Sequence, residues 1–303
     1  MIAFSRLLSA AALAAVSSSA ALAEAPASCG PGKLGVAREI SIDPSANLSL
    51  GLQSYPRTLQ LADREVVLTF DDGPAATTAQ VLDALKQECA KATFFIIGRN
   101  AEAMPQTVRR EAQEGHSIGY HSNTHPDRTL RLMTTEAAKA DIDAGIAAVD
   151  KAGFGAAGDA PKSVFFRFPG YADTPELLDY VHGRGLAVFG SDVWASDWRD
   201  MTPKEELKLV MERLEKAGRG IVLFHDSKLA TANMLPEFLR ALKERGFSLV
   251  HVKPGAGPTP VTEPRAGWTS TTEPIIAKTL GAKTLGGKKK PAEKAPEQGR
   301  DGT

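Results

Sequence analysis

From Glu65 onward, apolar runs and helix-spaced stretches alternate along the chain. Strand-like runs are predicted at Glu65 to Phe70, Ala92 to Ile97, Ser117 to Ser122, Ser163 to Phe168, Leu186 to Val193, Ile221 to His225 and Phe247 to Val252. They are rich in β-branched and aromatic residues and bounded by Gly, Pro or polar clusters. Between them lie helical patterns. Thr77 to Gln87 carries Val81, Leu82 and Leu85 on one face, and the next helix opens at Pro105 and closes at Gly115. Glu136 to Lys151 is Ala-rich, and Pro175 to His182 is capped by Thr174. The next helix runs from a capping box, Thr202-Pro203-Lys204-Glu205, to Lys216, and the last spans Leu235 to Glu244.

Seven strands alternating with helices imply an α/β fold with a parallel sheet and helical crossovers. Most runs are continuously apolar, as strands covered on both faces must be. The count falls one short of a full eight-fold barrel. The expectation is a distorted or incomplete (β/α) barrel of about seven parallel strands, with a doubly wound open sheet as the alternative.

The flanks read differently. Residues 1–23 have the form of an export signal: Arg6, an apolar and small-residue stretch from Leu7 to Ala20, and Ala21-Leu22-Ala23 as a cleavage site. That stretch is too short and too rich in Ser to span a bilayer. The mature chain is expected to start near Glu24 and to be exported, to the periplasm or beyond. Residues 24–63 read as an irregular N-terminal arm or lead-in hairpin, 64–252 as the folded domain, and 253–303 as a Pro-, Gly- and Lys-rich disordered tail. That tail contains a short repeat, Ala277-Lys278-Thr279-Leu280-Gly281 and Ala282-Lys283-Thr284-Leu285-Gly286, with Trp268 as a residue that would pack back onto the domain.

Charge narrows the partners. With 36 basic and 36 acidic residues the chain is formally neutral, so there is no electrostatic case for nucleic acid or an anionic membrane. The two cysteines, Cys29 and Cys89, are candidates for one disulfide in an exported protein. They are too few for a Cys-based metal site. Sequence does not indicate the oligomeric state.

Chemistry gathers at strand ends. Asp71 and Asp72 follow the first apolar run and precede Gly73-Pro74. Neighbouring strand residues point to opposite faces, but a bend at Gly73 would bring both carboxylates toward one point. A solvated Asp-Asp-Gly turn is the plainer alternative. His121 and His125, four apart at the end of the third strand, share a face, and neutral imidazole ligates Zn and similar metals. One Asp added to the pair would give three protein ligands and an open position, the catalytic pattern; a purely structural pair is the competing reading. Arg167, Asp197 and His225 end later strands. In a parallel barrel those ends meet.

These motifs, in order, resemble the polysaccharide deacetylase family, the NodB-homology domain of family-four carbohydrate esterases. Thr69-Phe70-Asp71-Asp72-Gly73-Pro74 matches the first family motif and His121-Ser122-Asn123-Thr124-His125-Pro126 the second. Arg167-Phe168-Pro169 resembles the third, Asp197-Trp198 the fourth and Val222-Leu223-Phe224-His225 the fifth. The resemblance spans Glu65 to Val252. It implies a metal-dependent hydrolase that removes N-acetyl groups from a glycan containing N-acetylglucosamine. Removal of O-acetyl groups and an inactive sugar-binding domain are the rivals.

By the same resemblance Asp72, His121 and His125 would hold a divalent metal, Zn first and Co or Ni as alternatives. Asp71 would be the general base, oriented and kept charged by Arg167. His225 would be the acid, paired with Asp197. Gly170 would offer a backbone N–H to the oxyanion, while Tyr171, Trp198 and Leu223 would contact the substrate. One departure stands out. The family has an aromatic residue directly after the third-motif Pro, whereas here Gly170 intervenes before Tyr171. Trp194 is either a sugar-stacking face or core. His116, His182 and His251 match no ligand position and read as structural.

Overall fold

The computed structural model describes residues 30–126 and 129–285. In chain order the strands are β1 Arg38–Ile42, β2 Ser49–Leu50, β3 Thr58–Leu59, β4 Glu65–Asp71, β5 Thr93–Ile96, β6 Ser117–Tyr120, β7 Phe165–Phe166, β8 Ala187–Phe189, β9 Val193–Trp194, β10 Gly220–His225, β11 Ser248–Pro254 and β12 Val261–Thr262. The helices are α1 Thr78–Gln87, α2 Gly98–Ala103, α3 Pro105–Gln113, α4 Thr135–Phe154, α5 Pro175–Gly183, α6 Pro203–Ala217, α7 Leu229–Glu244 and α8 Thr272–Leu285.

β4 is the central strand. It pairs in parallel with β10 along its whole length on one edge; β5 takes the upper half of the other edge and β11 the lower half. The ladder continues through β5, β6, β7 and β8 to β2, all parallel, while β9 joins the far side of β10. Phe95 on β5 and Phe189 on β8 have two strands between them in that order, yet their rings meet at 5.9 Å. Only a sheet curled on itself allows that contact. β8 and β9 share no ladder among the described residues, so the sheet is a distorted barrel split at that seam.

Each strand serves two cores. Val66, Leu68 and Phe70 of β4 pack in the layer under the helices, with Val81, Leu85 and Phe238. Val67 points the other way, into an interior filled by Phe95, Phe165, Phe189 and Ile221. Thr69 and Asp71 share the side of Val67, so period-two alternation carries them toward the interior and its rim.

The predicted helices are present, including the Thr202–Glu205 capping box and the Thr174 cap. Four corrections follow. The predicted fifth strand is two, broken at Gly190-Ser191-Asp192, because the chain turns there to hand Asp192 N–H to Ile221 O at 2.8 Å. The segment before α3 forms a helix of its own, α2. The N-terminal arm is not irregular throughout: β1 extends the sheet beside β11, and β2 pairs with β8, because Ile40, Ile42, Leu48 and Leu50 close one end of the interior.

The segment after Val252 is also not wholly disordered. β12 pairs antiparallel with β3, Trp268 Nε1 donates to Leu52 O at 2.9 Å, and α8 is pinned by Glu273 to Arg131 at 2.7 and 3.0 Å. A polar segment without a core of its own is ordered here by borrowing the domain's surface. The signal stretch, Cys29 and residues 286–303 lie outside the described residues, so the Cys29–Cys89 pairing does too.

Candidate active site

Register brings the predicted residues level. Asp71 pairs with His225 across β4 and β10, and Tyr120 pairs with Phe166, which sets His121 beside Arg167. All lie at the carboxyl ends of parallel strands. Asp72 then leaves the strand in a left-handed conformation, φ 72°, and this turns its carboxylate back over the same rim. The bend therefore begins one residue earlier than Gly73. Glycine is required at 73 for a different reason: a Cβ there would sit 2.1 Å from an Asp226 carboxylate oxygen.

The histidine loop is held from below. Asp141 on α4 accepts from Asn123 N–H at 3.0 Å and Thr124 Oγ1 at 2.8 Å. α4 comes so close that a Cβ on Gly145 would be 2.5 Å from the Ser122 carbonyl carbon. Ser122 and His125 have φ of 59° and 46°. Such strained backbone at Asp72, Ser122 and His125 persists only where surrounding contacts over-determine it, and it clusters at sites of function.

Asp72, His121 and His125 offer ligand atoms that all lie within 4.8 Å of one another. Asp72 Oδ1 is 3.5 Å from His121 Nε2 and 3.4 Å from His125 Nε2, and it is buried without a hydrogen-bond partner. His121 Nδ1 lies 2.7 Å from the Arg167 carbonyl, which can only accept, so Nδ1 carries the proton. Burial and the neighbouring His125 push the His121 pKa down to about 3, so the ring is neutral and Nε2 is a bare lone pair. Bare acceptors converging on one point with no donor between them fit a cation. A carbonyl fixing the far nitrogen of a ligand imidazole is the usual outer support of such a site.

Asp71 is buried between that cluster and Arg167: Arg167 Nη1 donates to its Oδ1 at 2.6 Å, and its Oδ2 lies 3.8 Å from His121 Nε2. Arg167 is fully buried, donates to Thr69 Oγ1 at 3.0 Å and to the carbonyls of Phe189 and Gly190, and lies over the Phe95 ring at 4.2 Å. Burial raises the Asp71 pKa above its ordinary value and the Arg167 charge opposes that rise. Arg167 thus acts in the expected direction, but burial has the larger effect.

Opposite stands His225. Its Nδ1 is 2.8 Å from Asp197 Oδ1, and Asp197 Oδ2 accepts from the His225 backbone N–H at 2.6 Å. Burial pulls the imidazole pKa down, yet Asp197, Asp72 and Asp71 together raise it to about 9. His225 Nε2 faces Asp72 Oδ2 at 3.9 Å across the site.

One cavity of about 310 Å³ joins these groups. Asp71, Asp72, His121, His125, His225, Gly170, Tyr171, Trp194, Trp198 and Leu223 line it; Arg167 and Asp197 stand behind their partners. Gly170 and Tyr171 both turn left-handed, at φ 60° and 57°, so the inserted glycine bends the loop and lets the Tyr171 ring tuck onto Trp194, centroids 6.3 Å apart. Ser191 Oγ ties that pair, 2.8 Å from Tyr171 OH and from Trp194 Nε1. Trp194 is therefore a half-buried wall of the cavity. Thr272, Ile275 and Ile276 of α8 line it too, and the sequence reading missed them. The one available signal was an Ile-Ile pair in an otherwise polar tail.

A family model described as polysaccharide deacetylase matches residues 59–189. A peptidoglycan-N-acetylglucosamine deacetylase of Bacillus cereus is 32% identical over 206 residues, which are 64% of this chain and 72% of that protein. The chain belongs to the polysaccharide deacetylase family. Members of that family are hydrolases acting on carbon–nitrogen bonds other than peptide bonds. A chitin deacetylase of Colletotrichum lindemuthianum is 31% identical over 208 residues, 64% of this chain and 80% of that one. Among solved structures, a Bdellovibrio bacteriovorus peptidoglycan deacetylase superposes with a TM-score of 0.64 at 31% identity, covering 80% of this chain and 64% of that one.

Proposed function

We propose that the protein hydrolyses N-acetyl groups on a polysaccharide or oligosaccharide containing N-acetylglucosamine, with a divalent metal held by Asp72, His121 and His125. One observation carries the reading. A cluster of bare acceptors lies in one cavity between a carboxylate on β4 and an imidazole raised to about 9 on β10. When bound, the metal would lower the pKa of water and polarise the acetyl carbonyl; the donor set suits Zn, with Co or Ni as alternatives.

The chain's own groups then divide the proton work. Asp71 takes a proton as water attacks the acetyl carbon, and Arg167 holds its carboxylate in place. The Gly170 backbone N–H donates to the developing oxyanion. His225, as imidazolium, gives its proton to the amine nitrogen as the C–N bond breaks, leaving acetate and a free amino sugar. Asp197 supports the imidazolium. Trp198 and Leu223 wall the acetyl pocket, and Tyr171 and Trp194 lie where a sugar ring would pass.

An amide leaves as a poor leaving group unless protonated, and an ester does not need the same help. The Asp197 carboxylate against His225 Nδ1, which favours the imidazolium form, therefore supports the N-acetyl over the O-acetyl reading. The named activities of the relatives point to peptidoglycan or chitin as polymers of the right class. The export signal read over residues 1–23 suits a glycan substrate outside the cytoplasm. No helix among the described residues is long and apolar enough to cross a membrane. The catalytic unit is taken as residues 64–252, with the α8 segment as an added wall.

The test is acetate release from N-acetylglucosamine oligomers, peptidoglycan and acetylated xylan, with and without chelator. Release from the first two, lost on chelation, is expected. Release from xylan alone would overturn the N-acetyl assignment, and chelator-resistant release would overturn the metal.

A further inference from the structure

Behind His225 lies a third acidic group that the proton work described so far does not use. Glu206, on the first turn of α6, is fully buried. Its Oε1 is 2.9 Å from Thr231 Oγ1 on α7, and the same Thr231 oxygen is 2.8 Å from Asp197 Oδ2. Thr231 is itself fully buried. A hydroxyl has one proton. Two ionised carboxylates cannot both be satisfied by it, and the loser would hold its lone pairs against the Thr231 oxygen in a site with little water to screen them. One of the two carboxyls must carry a proton.

The hydrogen-bond inventory says which. Asp197 accepts from the His225 N–H at 2.6 Å, from His225 Nδ1 at 2.8 Å and from Thr231, so its anion is saturated with donors. Glu206 Oε2 has no partner. Donors favour the charged form of Asp197, and burial without donors disfavours the charged form of Glu206. We propose that Glu206 is a neutral carboxylic acid that donates through Thr231 to Asp197, and so acts as a positioning residue for His225. The order of donation is Glu206 to Thr231, Thr231 to Asp197, and His225 to Asp197.

The groups facing Glu206 agree. Burial and the Asp197 charge push its pKa up to about 7, against the pull of the Thr231 hydroxyl and the more distant His225. A neutral Glu206 matters for turnover because it adds no second anion behind His225. It also leaves the single Thr231 proton for Asp197 Oδ2, which keeps Oδ1 against His225 Nδ1. The functional half of this inference rests on the reading of His225 as the acid; the protonation half does not.

Two measurements on the full chain separate them. In infrared difference spectra at about pH 5.5, where exposed carboxylates are ionised, wild type minus Glu206→Gln should show a protonated-carboxyl C=O band. Absence of that band would overturn the proposal. In turnover, Glu206→Leu and Thr231→Val should each lower kcat about tenfold with KM little changed, the loss of one buried hydrogen bond. Glu206→Gln, which keeps an N–H to donate, and Thr231→Ser should recover kcat to within about threefold of wild type. Glu206→Gln as slow as Glu206→Leu would overturn the positioning role. The band present in a wild type that turns over no acetylated glycan would support the assigned proton and fault the activity reading instead.

Discussion

β6 is four residues long and has a histidine at each end, His116 before Ser117 and His121 after Tyr120. Both rings are buried, and burial pushes both pKa values down to about 3. By charge state alone they are the same residue. They differ in which nitrogen is taken. At the floor of the barrel, His116 Nδ1 accepts the Ala92 N–H at 3.2 Å, so the neutral ring keeps its proton on Nε2 and has no lone pair to offer. At the rim, His121 Nδ1 donates to a carbonyl, so Nε2 is bare. His116 also has the cations Lys91 and Arg110 as neighbours, whereas His121 has Asp72 beside it as well as Arg167. One backbone group per ring, an N–H in one case and a C=O in the other, separates a histidine with no free lone pair from one able to ligate.

The most severe way to test the rim side is Asp71→Asn. It should lower kcat roughly a thousandfold while bound metal stays, because Arg167 engages Asp71 Oδ1 and the Asp71 Oδ2, 3.8 Å from His121 Nε2, lies farther from that nitrogen than Asp72 Oδ1 does at 3.5 Å. Loss of metal together with turnover would mean that the two Asp residues do not have separate roles.

The floor side predicts a stability effect without a catalytic one. His116 is neutral when folded and takes a proton when unfolded below its ordinary 6.5. Its contribution is thus full above that value and is lost progressively as pH falls toward about 3. At about pH 5 the loss is ~2 kcal/mol. His116→Phe should remove that part of the acid sensitivity in thermal melts and leave kcat unchanged. An unchanged acid slope would show that the folded ring titrates normally.

The smallest effect belongs to the added wall. Ile275 is half exposed beside the cavity, and Ile275→Ala should raise KM about threefold with kcat retained, as partial loss of one apolar contact. No change in KM would remove α8 from the substrate's path.

Much of the rim was legible beforehand because it is encoded by consecutive residues at strand ends. Asp71-Asp72, His121 to His125, Arg167, Asp197 and His225 all fall where the apolar runs stop, and parallel pairing brings such ends together. What stayed hidden depends on contacts distant in sequence. The His121 tautomer is set by a carbonyl 46 residues away, and Thr231 reaches Asp197 across 34. No local pattern marks either. The arm and tail were misread for a related reason. Their strands have two to five residues, too short to show a period, and their few apolar side chains find a core only through pairing of β1 with β11, β2 with β8 and β12 with β3. α8 has too little apolar surface to predict a fold, yet Ile276 is buried against the domain.

The most direct test of the contrast along β6 is metal content of the purified full chain by elemental analysis, for wild type, His116→Ala and His121→Ala side by side. The account predicts one divalent metal per chain in wild type and His116→Ala and none in His121→Ala. Metal retained in His121→Ala, or lost equally from both variants, would contradict it.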